Sequence, residues 1–323
     1  MISLAFFLKY RVFRFLYSRY PIVLLYHEVP KVELQSGLYG FNGKVFEEQI
    51  NFLAKYCDIV QYNKFEQKRG YFSRLQIIIT FDDGFRNNFD VALPILNKYS
   101  AKTIFFITSR HIGTSQVLWF QYLKLFNFFC PEANQIISNL NIQNVTNFNQ
   151  YKDYLLSLED HPYSIYKELE RLPSLTTFLS DYQINDWASG ITTEQLKLLC
   201  DNELFSVGIH TEDHPFLTKC SILVAEEQIS ENIKFLNKFT NMRPDAIAFT
   251  SGDYNEEVLA ICNRLQLKYG FAVYPNGYRG YSQFEIPRIG IYTVSLNHLI
   301  LKIIGARLFL SQRFEWFKFV FKK

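Results

Sequence analysis

Two short runs hold residues whose types and spacing could do chemistry. Thr80-Phe81-Asp82-Asp83-Gly84 sets two carboxylates side by side, and His210-Thr211-Glu212-Asp213-His214 sets two imidazoles four positions apart. Imidazole is the commonest neutral metal ligand. Two such nitrogens with one carboxylate make a three-ligand face that leaves positions open for water and substrate. That donor set suits Zn²⁺ first, with Co²⁺, Ni²⁺ or Fe²⁺ as alternatives. An ion of this kind lowers the pKa of bound water to about 7. Successive side chains point in different directions, so one aspartate can ligate while its neighbour takes the water's proton. Together the two runs point to metal-assisted hydrolysis of a carbonyl compound. Each alone is weaker, since Asp-Asp-Gly after a strand is also an ordinary turn and an isolated His-x-x-x-His is more often structural.

The elements that must position these residues are legible as apolar, β-rich runs. Gln76–Phe81 reads as a buried strand ending on Asp82, and Leu204–Ile209 as another ending on His210. Asp245–Phe249 leads to Ser251 and Asp253, and Pro21–Tyr26 leads to His27. Further extended candidates are Asp58–Tyr62, Thr103–Thr108, Tyr269–Tyr274 and Ile286–Tyr292. Between them lie helical patterns: Phe46, Ile50 and Leu53 at helical spacing, Asp90–Tyr99, 193–200 behind the N-cap Thr192 with Gln195, 222–239, 255–266 and a last helix from near Ser295. Such alternation predicts a parallel sheet wrapped by helices, whose active sites form at the C-terminal ends of the strands. The rhythm breaks over about 112–190. There a helical Val117–Phe129, an Asn-rich Asn134–Asn149 and a helix near Tyr151–Leu172 read as an insertion, either a substrate-facing flap or an outer embellishment.

Composition narrows the partners. The chain's 34 Lys+Arg against 31 Asp+Glu give +3, which excludes a strongly basic nucleic-acid binder. The charge is uneven. Lys9, Arg11, Arg14 and Arg19 make the first 20 residues +4; six cations against Glu315 make 302–323 +5, so the remainder is −6. Both ends interleave cations with Phe, Tyr or Trp, a mixture suited to an anionic bilayer surface or to aromatics packed on the barrel with the cations left wet. Five scattered cysteines without a Cys-x-x-Cys pair speak against a disulfide framework or thiolate zinc site and favour a reducing compartment. The apolar Leu4–Leu8 precedes the basic residues, unlike a secretory signal, and no apolar run approaches the roughly 20 residues of a transmembrane helix. The expectation is a cytoplasmic protein, peripheral on the membrane.

At its two polar runs the sequence resembles the polysaccharide deacetylase family, the NodB-homology or carbohydrate esterase 4 group. The likeness extends more loosely over about 22–110 and 190–305, including Tyr26-His27-Glu28-Val29 and Ile286-Pro287-Arg288-Ile289. It implies an α/β fold, a distorted (β/α) barrel with a mainly helical insertion, spanning 21–305 between a basic aromatic segment at 1–20 and a tail at 306–323. It further implies Asp82 as catalytic base, Asp83, His210 and His214 as metal ligands, and removal of an acetyl group from an N-acetylated sugar of a glycan or lipid-linked saccharide. The family's third motif has a Pro and an aromatic where this chain has Thr250 and Ser251 before Gly252. By resemblance Ser251 and Gly252 bind substrate, and the Ser251 amide can still face an oxyanion, because a backbone donor needs no particular side chain. No Arg stands in that motif, so Arg288 is the candidate for orienting Asp82. The general acid stays unassigned: His298 sits in an amphipathic helical pattern, His27 lies on the strand-end rim, and His111 and His161 have no motif. An O-acetyl esterase, another amidohydrolase, or a non-catalytic carbohydrate-binding protein at the membrane remain alternatives.

Overall fold

A computed structural model describes residues 21–31, 42–64, 74–159, 161–273, 283–292 and 295–310, the last five by backbone alone. Of the terminal segments expected to touch a membrane, 1–20 and 306–323, all but the backbone of 306–310 lies outside the described residues. No helix among the described residues is long and apolar enough to cross a membrane.

The chain alternates as the apolar runs predict. Strand β1 (Ile22–Tyr26) is followed by α1 (Gly43–Tyr56), whose N-terminus is capped by the Asn42 side chain accepting from the Lys44 and Val45 amides. Next come β2 (Asp58–Ile59), β3 (Gln76–Phe81), α2 (Leu93–Lys98) and β4 (Thr103–Ile107). Five short helices follow: α3 (Trp119–Phe129), α4 (Ala133–Ser138), α5 (Phe148–Ser157), α6 (Tyr163–Leu169) and α7 (Asp181–Trp187). The chain then resumes with α8 (Thr193–Cys200), β5 (Phe205–Ile209), α9 (Ile222–Leu236), β6 (Ala246–Ala248), α10 (Glu256–Arg264), β7 (Tyr269–Ala272), β8 (Ile286–Gly290) and α11 (Leu296–Leu310). Thr192 and Gln195 form the expected reciprocal cap on α8.

Two expectations need correcting. Asp58–Tyr62 is strand only over Asp58–Ile59, with a 3₁₀ turn at Tyr62–Lys64. Tyr151–Leu172 is two helices, α5 and α6. Pro162 separates them, because a proline ring has no N–H and clashes with a preceding helical turn.

Strand β1 pairs with both β3 and β8, and every strand pairing is parallel, so β1 and β3–β8 close a seven-stranded barrel with β2 on its edge. Side chains alternate across each strand. Ile22, Leu24, Tyr26, Ile77, Ile79, Phe81, Phe105 and Ile107 join the layer under the helices, while Val23, Ile78, Ile104, Phe106, Phe271 and Ile286 form a separate inner cluster. The barrel is narrow. A Cβ on Gly208 would lie 2.5 Å from the Phe106 ring. Continued one step past the strand ends, the inner parity is that of Thr80 and Asp82 on β3, Gly208 and His210 on β5, and Ile286 and Arg288 on β8.

The five inserted helices bury their own apolar cluster, with Phe126, Tyr151, Leu155 and Ile165 among its fully buried members. Its C-terminal exit is pinned against the Asp-Asp-Gly turn: Arg86 N–H donates to Ser189 O (2.8 Å) and Ile191 N–H to Gly84 O (3.0 Å). Gly190 lies between them, where a Cβ would stand 2.4 Å from the backbone oxygen of His111. That neighbour is main chain and cannot swing aside. Gly190→Ala is therefore expected to lower unfolding free energy by about 1–3 kcal/mol, the usual cost of overpacking, as a reduced urea midpoint with an unchanged m-value.

Candidate active site

Strand parity and loop geometry together bring the two polar runs into contact. Asp82 continues β3, its N–H donating to Tyr26 O of β1 (3.1 Å), and its side chain meets Arg288 from β8. The guanidinium grips the carboxylate with both forks, Nη1 to Oδ1 at 2.6 Å and Nη2 to Oδ2 at 2.8 Å. In strand register Arg288 and Ile78 both face Val23, so the long side chain must rise past Thr80, whose hydroxyl lies 3.4 Å from Nη1. The Arg288 side chain is 0% exposed. Burial pushes the Asp82 carboxyl upward, but the Arg288 charge leads a set of opposing interactions, with His210 and His27, that hold it below its ordinary value.

Asp83 is left-handed, φ 74°, which breaks the strand alternation and keeps its carboxylate beside that of Asp82, both within 3.8 Å of His210 Nε2. Its carbonyl is clamped by the Thr108 N–H (3.1 Å) and by His111 Nε2 (2.9 Å). Its Oδ1 lies 3.3 Å from His210 Nε2 and 3.5 Å from His214 Nε2. The His210 Nδ1–H donates to Ala248 O at 2.8 Å, which leaves Nε2 of the neutral ring bare and aimed at the carboxylate. Neither Asp83 oxygen receives a hydrogen bond, although the residue is 1% exposed. Burial raises the Asp83 carboxyl, yet in their protonated forms His210 and then His214 pull it well below the usual carboxylate range. Burial drives His214 down to about 3. His210 is also pulled down by burial, but Asp82 and Asp83 outweigh it and raise it.

Two ligands bound at about 2.1 Å around a tetrahedral ion lie about 3.4 Å apart. The Asp83–imidazole separations bracket that spacing, and the three ligand atoms all fall within 4.8 Å of one another. Donorless carboxylate oxygens facing the bare Nε2 of His210, with His214 Nε2 beside it, are what a divalent ion would satisfy, and the residues present fit one.

Asp82, Asp83, His210, His214 and Arg288 thus converge. Ser251 and Gly252 lie beyond β6 in a left-handed turn (φ 54° and 67°), and the Gly252 N–H is occupied by Phe249 O (3.0 Å). The turn is tied to the loop after β5, where Thr250 Oγ1 donates to Pro215 O at 2.5 Å. His298 is exposed on α11, as its helical pattern predicts. His27 stacks on Tyr292, centroids 5.7 Å apart. The sequence reading gave His111 no role, although its place just past β4 on the same rim was a usable signal. It also missed two polar side chains one helical turn apart on α9. Gln228 accepts the Asp213 N–H (2.9 Å) and donates to its carboxylate, and Asn232 accepts the His210 N–H (3.2 Å). The inserted helices reach the rim as well, through Trp119, Phe120 and Tyr166 to Asp213 and His214 and through Gln121 and Lys124 to Glu28.

A closed parallel barrel carrying carboxylates and imidazoles on the C-terminal rim of its strands defines a NodB-type (β/α)-barrel hydrolase. The chain belongs to the polysaccharide deacetylase family, whose pattern it matches over residues 70–146 and 157–270, and it is a hydrolase of amide bonds. It is 24% identical over 305 residues to the poly-β-1,6-N-acetyl-D-glucosamine N-deacetylase of Staphylococcus aureus, covering 88% of this chain and 83% of that one. Its fold is similar to that of IcaB from Ammonifex degensii (TM-score 0.56, 16% identity, 90% of this chain and 97% of that one). It is similar too to the Streptococcus pyogenes deacetylase PplD in complex with acetate (TM-score 0.53, 19% identity, 88% and 97%).

If the Asp83 cluster holds an ion, binding it stabilises the native state. Zinc at about one hundred times its Kd should add about 2.7 kcal/mol, seen as a rise in melting temperature that His210→Ala abolishes. Equal shifts in both proteins would remove the ligand assignment.

Proposed function

We propose that this protein is a metal-dependent N-deacetylase acting on an N-acetylated sugar of a glycan, with a poly-N-acetylglucosamine such as that acted on by the Staphylococcus aureus relative as the first substrate to try. The observation that carries the reading is the pairing of a donorless Asp83–His210–His214 cluster with an adjacent aspartate held ionised by Arg288. A divalent ion in that cluster, zinc first and Co²⁺, Ni²⁺ or Fe²⁺ as alternatives, would polarise the acetyl carbonyl and supply hydroxide at neutral pH. Asp82 is the base. Arg288 takes one lone pair from each of its oxygens and leaves others free to accept the proton of the attacking water. Oδ2 lies 3.8 Å from His210 Nε2, which puts the base beside the ligand cluster. The Ser251 amide, at the turn that also carries Thr250, donates to the developing oxyanion. His27 fills the role the sequence left unassigned, giving a proton to the departing sugar amine. It is an imidazole just past the C-terminal end of β1, outside the ligand set and stacked on Tyr292. The products are acetate and the free amino sugar.

Acetate release from acetylated amino-sugar oligomers, with metal content measured in parallel, tests this reading. Asp82→Asn should keep its metal and lose about 10²–10⁴-fold in kcat, as removal of a general base does. Asp83→Ala and His210→Ala should lose both metal and turnover, and full metal and activity in either would overturn the assignment. Acetate released only from O-acetylated oligomers would instead make the protein an esterase. Removing the Arg288 charge leaves burial to raise the Asp82 carboxyl, so the acid limb of the kcat/KM profile of Arg288→Gln should move to higher pH.

The basic aromatic ends, 1–20 and 306–323, are proposed to seat the enzyme on an anionic membrane surface, near lipid-linked saccharides. In liposome flotation the full-length chain should float with anionic vesicles and a chain lacking both ends should not; equal binding by the two would remove the proposal.

A further inference from the structure

His214 holds a backbone conformation that its own sequence disfavours. Its φ is 56°, in the left-handed region, and it precedes Pro215, whose ring biases the preceding residue toward extended backbone. Two hydrogen bonds keep it there. The His214 N–H donates to Thr211 Oγ1 at 3.1 Å, a bond local to the loop. Its carbonyl accepts from the indole N–H of Trp119 at 2.9 Å, across 95 positions of sequence. Trp119 opens α3, is 4% exposed, and is rooted in the apolar cluster of the inserted helices with its ring 5.9 Å from that of Phe216. The next residue, Phe120, lays its ring against the imidazole of the same histidine, centroids 4.4 Å apart. One turn of α3 therefore grips both the main chain and the ring of His214.

We infer that Trp119 is a positioning residue for His214: its indole N–H fixes the left-handed backbone that aims Nε2 at Asp83, which makes the inserted helices part of the ligand cluster. The inference rests on the metal-centre reading of that cluster. Without the N–H, the backbone before Pro215 relaxes toward extended, and the imidazole leaves the 3.5 Å separation it keeps from Asp83. Groups that orient a metal ligand from outside typically contribute about 10–100-fold in metal affinity.

The test uses the full chain with Trp119→Phe, and with 3-benzothienylalanine at position 119, which replaces the indole N–H by sulfur and keeps the shape. Zinc affinity is measured by chelator competition, and the melting temperature of the zinc-free proteins in parallel. The expected result is zinc binding about 10–100-fold weaker in both variants, with the zinc-free melting temperature of the isosteric one unchanged. An isosteric variant that binds zinc as tightly as the natural chain overturns the inference. So does one that loses its zinc-free fold, since the bond would then be a general fold contact. Failure of the underlying reading looks different: the natural chain would bind no zinc, and His214→Ala would change nothing.

Discussion

Asp83 sits where an isolated ion is most expensive: buried, ionised, and facing two imidazole nitrogens with no donor on either oxygen. The effective cost of burying an unpaired charge is several kcal/mol, so the surroundings must hold this geometry against relaxation. They do so from the backbone side, with Thr108 and His111 both bonded to the Asp83 carbonyl. A second carboxylate next door would compound the repulsion. The two-forked Arg288 grip removes that charge from the account and leaves Asp82 a carboxylate with lone pairs to spare.

The closed barrel makes this arrangement reachable. Its strands alternate inward and outward, so the inner parity of β3 leads through Ile78 and Thr80 to Asp82, and that of β5 leads through Gly208 to His210. Arg288 belongs to the inner row of β8, level with Ile78, and only a side chain as long as arginine can climb past Thr80 to the rim. Left-handed backbone at Asp83, Thr211, His214 and Ser251 then breaks the alternation where it would otherwise carry these groups away from one another. Such conformations cost about 1–3 kcal/mol each and persist only where their surroundings over-determine them. Gln228 and Asn232 of α9, with Trp119 of α3, supply part of that restraint.

Much of the architecture was readable in advance because strand and helix periods are local properties. Gln76–Phe81 and 193–200 fall where their patterns place them, and the apolar-to-polar switch at each strand end marks the rim. The two aspartates and two histidines stood out only as an ordered pair of runs at strand ends, since either run alone has an ordinary structural reading. Pro162 broke one expected helix, a local effect that could have been weighed from the residue itself. The long-range contacts were of another kind. His111 and Trp119 carry no motif, and the inserted helices, offered as either flap or embellishment, both bury their own core and touch His214 and Glu28.

By itself the sequence determined the donor types, their order along the chain and the strands that deliver them, since these follow from residue chemistry and from periods of a few residues. Tertiary structure alone decided which donors meet. Asp82 and Arg288 are separated by 206 positions, Asp83 and His111 by 28, Trp119 and His214 by 95. No local rule encodes these pairings, because each depends on barrel closure and on left-handed turns held in place by the rest of the fold. The charge arithmetic set the two cationic ends apart from an acidic middle, and the middle is where the folded chain gathers its carboxylates and imidazoles into one site.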